Sequence, residues 1–493
     1  MEYDVVVVGG GPSGLSAAIK FAQLNKENGT SYSICLLEKG SEVGAHILSG
    51  NVFQPNALDE LIPDWKEKNA PLNIPVKKDK LLFLLNKFSI PVPAFVMPPM
   101  NNHGNYVISL GNLCRWLAEQ AENLGVEIFP GFPASKLIYE DEKVVGVQTG
   151  DMGISASGDI KPGHEPGIII KAKYTVLSEG CRGHLGKEVI NKFNLSDGKD
   201  PQHYGIGFKE VWKLQEGLHE PGLVMHTNGW PTPFDTPSGS YLYHGENNEA
   251  YVGYVVPLDY KNPSMSPFDE FQKWKTHPSI KKYLQGGERL SYGARALIKG
   301  GLQSLPKMEF PGGLLTGDNA GTLNFSKIKG SHTAMKSGLI AGEHIFENIN
   351  NDIKTDITYD DRILSSWIYT ELYKSRNFGP IFHKFGALIG AFLNALDQFI
   401  FRGKLPFTLN NPTPDHECLK KSSEVNKIEY PKPDGVFSFD KLSSVYLSNT
   451  NHEEDQPCHL QLKDPSIPIS VNLPMYDEPA QSCLLYTSPS PRD

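Results

Sequence analysis

Apolar and polar positions along the chain fall into short blocks set apart by glycine and proline, the pattern of alternating strands and helices. The clearest block opens the chain. Val5-Val6-Val7-Val8 is an unbroken β-branched run, Gly9-Gly10-Gly11-Pro12-Ser13-Gly14 follows at once, and Leu15 to Leu24 has the Ala, Leu and Ile content of a helix. Ser33 to Leu37 predicts a second strand, ending in Glu38. Further apolar runs predict strands near 174–178 and 314–317, then a helix from about Thr333 to Phe346. Between them, Ser240-Tyr-Leu-Tyr-His244 and Ala250-Tyr-Val-Gly-Tyr-Val-Val256 are β-rich and predict an antiparallel sheet within 201–290. Insertions of this kind are where substrate elements belong.

Two segments are apolar without fitting a spanning helix. Phe88 to Met100 is broken by four prolines. Ile381 to Leu409 places Phe382, Phe385, Leu388, Ile389, Phe392, Leu393 and Leu396 at helical spacings, but His383, Lys384, Asp397 and Arg402 interrupt it. Its longest uncharged run, Phe385 to Leu396, is shorter than the ~20 residues a span requires. The pattern fits a helix lying in a membrane interface, or else a buried core helix.

The opening block has the form of a dinucleotide site. Gly9 permits the tight turn, Gly11 removes a side chain that would block a pyrophosphate, and Gly14 allows the helix to pack closely on the strand. The helix N-terminus then offers free N–H groups and a positive dipole end to phosphate. Glu38 lies twenty-four residues after Gly14, where its carboxylate accepts from adenosine ribose hydroxyls. Two later segments turn the reading from NAD to FAD. Tyr174-Thr-Val-Leu-Ser-Glu-Gly180, with Ser178 and Gly180 in its turn, resembles the second dinucleotide contact of FAD-dependent hydroxylases and reductases. Gly312-Gly-Leu-Leu-Thr-Gly-Asp318 delivers Gly317 and Asp318, and in that superfamily such a pair binds the ribityl chain; Asp318 offers acceptors to its hydroxyls. The helix after Gly330 would then aim its N-terminus at the pyrimidine edge of the flavin, where a positive dipole end favours negative charge.

Composition narrows the partners. The 493 residues are 39% hydrophobic, enough for two or three domains with buried cores. With 56 acidic against 47 basic side chains and no basic stripe, nucleic acid is excluded as a partner. Six cysteines without a C-x-x-C pair show neither a disulfide framework nor a complete metal site, and point to a reducing compartment. Met1 runs straight into the first strand, and the expectation is that the chain carries no secretory or import signal.

Long strings then resemble a single family, electron transfer flavoprotein–ubiquinone oxidoreductase. They are Gly44-Ala-His-Ile-Leu-Ser-Gly50, Pro63-Asp-Trp-Lys-Glu-Lys68, Met100-Asn-Asn-His-Gly-Asn-Tyr106, Tyr292-Gly-Ala-Arg-Ala-Leu297, Lys327-Ile-Lys-Gly330, Thr333-Ala-Met-Lys-Ser-Gly338 and Tyr430-Pro-Lys-Pro-Asp-Gly435. The resemblance implies an FAD protein bound to one membrane face, taking electrons singly from electron-transferring flavoprotein and reducing ubiquinone. That face is the cytoplasmic side of a bacterial inner membrane, or the matrix side of the mitochondrial inner membrane if the source is eukaryotic. By matching motifs, Gly9, Gly11, Gly14, Glu38, Gly317 and Asp318 would hold FAD, while Gly44, His46, Ser49 and Gly50, with Gly330 and Thr333, would lie against the flavin ring. Several relatives have Cys where this chain has Asp318. A quinone channel would be walled by 88–100, 385–401 and 254–260, with Val256 and Pro257 as contacts. The alternatives are a cluster-free FAD reductase or hydroxylase of a lipophilic substrate, and an FAD-binding protein without turnover.

The expected fold class is α/β with α+β inserts, comprising a discontinuous Rossmann-like FAD-binding domain (1–86, 107–200 and 290–350) and an antiparallel-sheet quinone domain (87–106 and 201–289). A helical membrane-surface segment follows (351–410), then a partial C-terminal region (411–481). The family also carries a [4Fe–4S] cluster on four cysteines, the first soon after a Tyr-Asp-x-Pro segment. Tyr476-Asp-Glu-Pro479 is present, and the expectation is that the ligand region after it is missing, so that this chain assembles no cluster. Residues 482–493 read as an adapter-derived artefact, since Cys483-Leu-Leu-Tyr-Thr-Ser-Pro-Ser-Pro-Arg-Asp493 matches a one-frame translation of a transposase adapter used in sequencing libraries.

Overall fold

The computed structural model describes residues 1–47, 50–349, 356–450, 453–458 and 462–480. The opening β-branched block becomes the strand Glu2–Val8, buried from Val5 onward. It pairs in parallel with Ile34–Glu38 on one side and Ile169–Leu177 on the other. Glu127–Pro130 and Gly313–Leu315 extend the parallel sheet at its two sides. A parallel sheet covered on both faces needs near-continuous apolar strands, and these runs supply them. Glu309–Phe310 closes one edge, and a hairpin of Ala134–Glu140 and Lys143–Thr149 branches from Ile169–Leu177. The nucleotide domain is thus assembled from separated stretches of chain.

The helices Pro12–Glu27 and Ser331–Asn348 cross on that sheet through glycine. A Cβ on Gly338 would lie 2.0 Å from the Ser13 carbonyl oxygen, and one on Gly342 2.6 Å from that of Ala17. Residue numbers rise together at these contacts, so the helices run parallel and aim both N-termini toward the same end of the sheet.

A second, seven-stranded sheet has the order Glu288–Ile298, Tyr204–Lys213, Glu249–Pro257, Gly239–His244, Leu223–Gly229, Lys78–Leu84, Ser89–Val92. It is antiparallel except where Leu223–Gly229 pairs in parallel with Lys78–Leu84. Two of its strands therefore come from stretches that the sequence boundaries assign to the nucleotide domain. Lys78–Leu84 and Glu288–Ile298 carry ordinary strand patterns, and nothing in such a pattern names the partner strand. The helix Pro267–Lys275 covers one face, burying Phe268, Phe271 and Trp274 with Phe208, Trp212 and Tyr254.

The apolar C-terminal stretch is not one straight rod. By length and composition Trp367–Phe401 passes as a membrane-crossing helix. Its helix Phe378–Leu396 breaks at Gly386, whose φ is +70°, and ends in a π-turn over Asp397–Phe401. A Cβ on Gly386 would lie 2.6 Å from the Phe234 carbonyl oxygen, which accepts the Ala387 N–H at 2.6 Å. The arm beyond the kink reaches ~22 Å at ~1.5 Å per residue, short of the ~30 Å hydrocarbon core.

Candidate functional site

The three signature glycines take three distinct roles. Gly9 has φ +108°, and a Cβ there would lie 2.5 Å from the Ser178 carbonyl oxygen. Gly14 lies under the turn, where a Cβ would meet the Gly9 carbonyl oxygen at 2.1 Å. Gly11 caps the helix Pro12–Glu27, and a Cβ on it would face open space. An open position before a helix N-terminus is what an approaching pyrophosphate requires. Glu38 stands beside it with its carboxylate held in place: Oε2 accepts from the Gly10 N–H at 2.9 Å and Oε1 from Gly40 at 2.7 Å. Each oxygen keeps a second lone pair for a ribose hydroxyl.

Ser178 joins the same cradle, its hydroxyl 2.6 Å from that of Thr316. Gly317 (φ +59°) donates its N–H to Ser337 Oγ at 2.8 Å, and a Cβ there would lie 2.7 Å from Ser13 Oγ. This lets Asp318 emerge between the two parallel helices. Its Oδ1 is buried without a hydrogen-bond partner. Burial pushes the carboxyl up to about 7, with the Arg295 guanidinium opposing the shift. An unsatisfied buried carboxylate oxygen is costly, and a hydroxyl-bearing ligand removes that cost. The described residues therefore fit FAD: open space at Gly11, acceptors at Glu38, and an orphaned acceptor at Asp318.

Gly44 and Gly50 lie between the first sheet and the strand Asn51–Phe53 of a separate three-stranded sheet. Gly44 (φ +87°) packs on Gly111, where a Cβ would lie 2.8 Å from its carbonyl oxygen. His46 is exposed, and its carbonyl accepts from Arg295 at 2.6 Å; Arg295 also lies against Gly180 (φ +77°). Ser49 lies outside the described residues. Gly50 (φ +89°) packs against the Tyr251 ring, and its carbonyl accepts from Lys209 Nζ at 2.5 Å. Burial alone lowers the Lys209 ammonium to about 7. Asn51 then donates to Ser331 Oγ at 2.8 Å, which brings this loop to the second helix N-terminus. There Gly330 caps the helix, and buried Thr333 turns its hydroxyl back to the Gly330 carbonyl at 2.9 Å.

The turn before Gly330 is closed by reciprocal backbone bonds between Asn324 and Lys329, with Ile328 held at φ +54°. Glu371 pins it, accepting from Lys327 at 2.5 Å, His332 at 3.0 Å and Asn324 at 3.1 Å. Burial raises its carboxyl, but His332 and Lys327 outweigh that and hold it at about 2. Val256 and Pro257 lie apart from this cradle, paired with Ile206 and Gly205 at the end of their strand. Sequence reasoning missed Arg295, Lys209 and Glu371. Arg295 and Lys327 fall within family strings, but a string does not say which side chain reaches across domains.

Known sequences bear on this geometry. The family profile described as "ETF-QO, ubiquinone-binding" matches residues 204–297, and "NAD(P)-binding Rossmann-like domain" matches 7–63. The electron transfer flavoprotein-ubiquinone oxidoreductase of Pseudomonas aeruginosa is 58% identical over 491 residues, covering 98% of this chain and 89% of that protein. The chain belongs to the electron transfer flavoprotein–ubiquinone oxidoreductase family. The mitochondrial member from Bos taurus is 50% identical, covering 97% of this chain and 80% of its own. Among solved structures, a geranylgeranyl bacteriochlorophyll reductase-like protein from Thermoplasma acidophilum (TM-score 0.56, 17% identical, 82% of this chain and 97% of that one) shares the fold. So does the flavin-dependent brominase Bmp2 (TM-score 0.56, 17% identical, 81% and 90%). The family is one of oxidoreductases.

One expectation is overturned. The profile described as "Electron transfer flavoprotein-ubiquinone oxidoreductase, 4Fe-4S" matches residues 435–485, so the cluster region is present rather than missing. Thiol spacing alone carries no sign of that region, whereas the profile also matches the stretch that leads to it. Among the described residues no group of three or more His, Cys, Asp or Glu side chains is arranged to hold a metal ion, and the described part of the match holds one thiol, Cys458. Cys483 and the stretch read as adapter-derived lie outside the described residues.

Proposed function

We propose that the chain is a membrane-bound FAD oxidoreductase that takes electrons from electron transfer flavoprotein and passes them to ubiquinone. Gly9, Gly11 and Gly14 admit the pyrophosphate, Glu38 receives the adenosine ribose, and Asp318 accepts from the ribityl hydroxyls. Gly44, His46 and Gly50 border the ring on one side, and Gly330 and Thr333 border it on the other. FAD, when bound, supplies a centre that accepts and releases electrons. The protein's own part is to bind and orient it: Arg295 ties the His46 backbone to the Gly180 turn, Lys209 ties Gly50 to the second sheet, and Glu371 fixes the turn before Gly330. Val256 and Pro257 border the quinone route, within the match to the ubiquinone-binding profile.

The observation that carries the reading is a joined apolar surface. Phe95, from the proline-broken segment, packs on Phe399, from the kinked helix, with ring centroids 5.7 Å apart. Phe95 and Phe392 are each 64% exposed, and Phe88, Leu388, Ile389, Ile400 and Phe401 are exposed with them. So large an apolar patch marks a binding surface, and the kinked arms suit a helix lying in the interface. The membrane would be the cytoplasmic face of a bacterial inner membrane or the matrix face of a mitochondrial one. Flotation with liposomes tests this reading: the FAD-loaded chain should float, and a chain that stays at the bottom of the gradient would refute membrane attachment.

A further inference from the structure

Reduction of a quinone to a quinol takes up two electrons and two protons, so the reaction needs a proton donor as well as a flavin. Away from the flavin cradle, a group of titratable side chains joins the apolar helix to the end of the strands that match the ubiquinone-binding profile. Asp259, just past Glu249–Pro257, accepts from His383 Nδ1 at 2.8 Å and stands 3.5 Å from Lys299 Nζ. His383 sits on the helix Phe378–Leu396, ahead of the kink at Gly386. Beside it, His203 is 2.7 Å from Asp415 through Nδ1 and 3.0 Å from the Asn411 carbonyl through Nε2, with its ring centroid 6.3 Å from that of His383. Cys418 lies close enough that Asp259, Asp415, Lys261 and Lys299 all act on its thiol, and Lys384 is the next residue on the helix.

The two imidazoles differ in what their nitrogens can do. Both nitrogens of His203 are already engaged, Nδ1 with Asp415 and Nε2 with the Asn411 carbonyl, so the ring is held in place. His383 is fixed only at Nδ1. Burial raises the Asp259 carboxyl, but Lys299 and His383 outweigh it and keep the group well below the usual carboxylate range. An ionised Asp259 can only accept, so Nδ1 of His383 carries a hydrogen and Nε2 is the atom left to exchange protons. The His383 side chain is 28% exposed, against 8% for Asp259, so water reaches the histidine rather than the carboxylate.

Building on the quinone reading above, we propose that His383, oriented by Asp259, donates the proton to one oxygen of the quinone as it becomes the quinol. As electrons arriving through the bound flavin reduce the quinone, the Nε2–H bond breaks and an O–H bond forms on that oxygen. The second proton reaches the opposite oxygen from solvent, and a solvent proton restores Nε2. Asp259 stays ionised throughout and acts as a positioning residue.

The test uses the full FAD-loaded chain in vesicles, comparing a short-chain ubiquinone with ferricenium, which accepts an electron and no proton. His383→Gln should slow quinone reduction about tenfold or more and change ferricenium reduction less than about twofold. Added imidazole should restore part of the quinone rate. Asp259→Asn, which leaves Nδ1 of His383 without its anionic acceptor, should also slow quinone reduction while changing ferricenium reduction less than about twofold. Equal losses with both acceptors, or an unchanged quinone rate in His383→Gln or in Asp259→Asn, would overturn the proposal. A wild-type chain that reduces ferricenium but no quinone would overturn the quinone reading itself, and this inference with it.

Discussion

The flavin cradle is shaped by side chains that are missing, whereas the apolar surface and its neighbouring titratable group depend on side chains that are present and drawn from distant stretches. At Gly9, Gly14 and Gly317 a single added carbon would strike backbone or a neighbouring serine within 2.7 Å. At the surface, Phe95 meets Phe399 and Asp259 meets His383 across long separations in sequence. The first kind of site tolerates almost no addition and is written in a short local motif. The second is built of many moderate contributions, so single changes there should weaken it without abolishing it.

That difference can be broken most severely at Gly14. Gly14→Val places carbon 2.1 Å from the Gly9 carbonyl oxygen, and the purified chain should lose all flavin absorbance. Retained flavin would show that the turn yields more than its packing suggests. At the surface, replacing Leu388, Ile389 and Phe392 together by Ser removes ~1.5 kcal/mol or more of burial per side chain. Liposome partition should fall on the order of a thousandfold or more, with flavin content unchanged.

Asp318 sharpens the comparison because its buried Oδ1 lacks a hydrogen-bond partner. Asp318→Ala should weaken FAD binding roughly tenfold, as expected for about 1.5 kcal/mol of hydrogen bonding. Its titration gives a second readout in the flavin-free chain. The unfolded carboxyl gives up its proton near pH 4, while the folded one keeps it to about 7, so the folded state binds the extra proton in that window. Stability owed to this group is therefore present at low pH and lost as pH rises toward about 7. The Tm advantage of Asp318→Asn over the flavin-free wild type should grow across that window; a constant difference would contradict the buried carboxyl. The smallest effect is expected at Gly386. Gly386→Ala adds ~1–2 kcal/mol of left-handed strain, and its Cβ would lie 2.6 Å from the Phe234 carbonyl oxygen, so Tm should fall by several degrees while flavin binding persists.

The same contrast explains what the sequence made legible. The Val5–Val8 strand, the glycine turn, Glu38, and the Gly317-Asp318 pair are local patterns whose physics reads directly from residue type. The membership of Lys78–Leu84 and Glu288–Ile298 in the second sheet is not local, because a strand's pattern is silent about its partner. Arg295, Lys209 and Glu371 were missed for the same reason: a charged residue looks like a solvated one until the backbone carbonyls and side chains it bridges are known. The apolar helix was visible from its spacing, but its break was not, since Gly386 sits among other small residues and only its φ of +70° marks it.

The most direct measurement of the proposed activity is an anaerobic titration of the FAD-loaded chain in liposomes, followed by flavin absorbance. Reduced electron transfer flavoprotein should bleach the flavin, and added ubiquinone should restore its colour. Bleaching by NAD(P)H with no response to electron transfer flavoprotein would contradict the account.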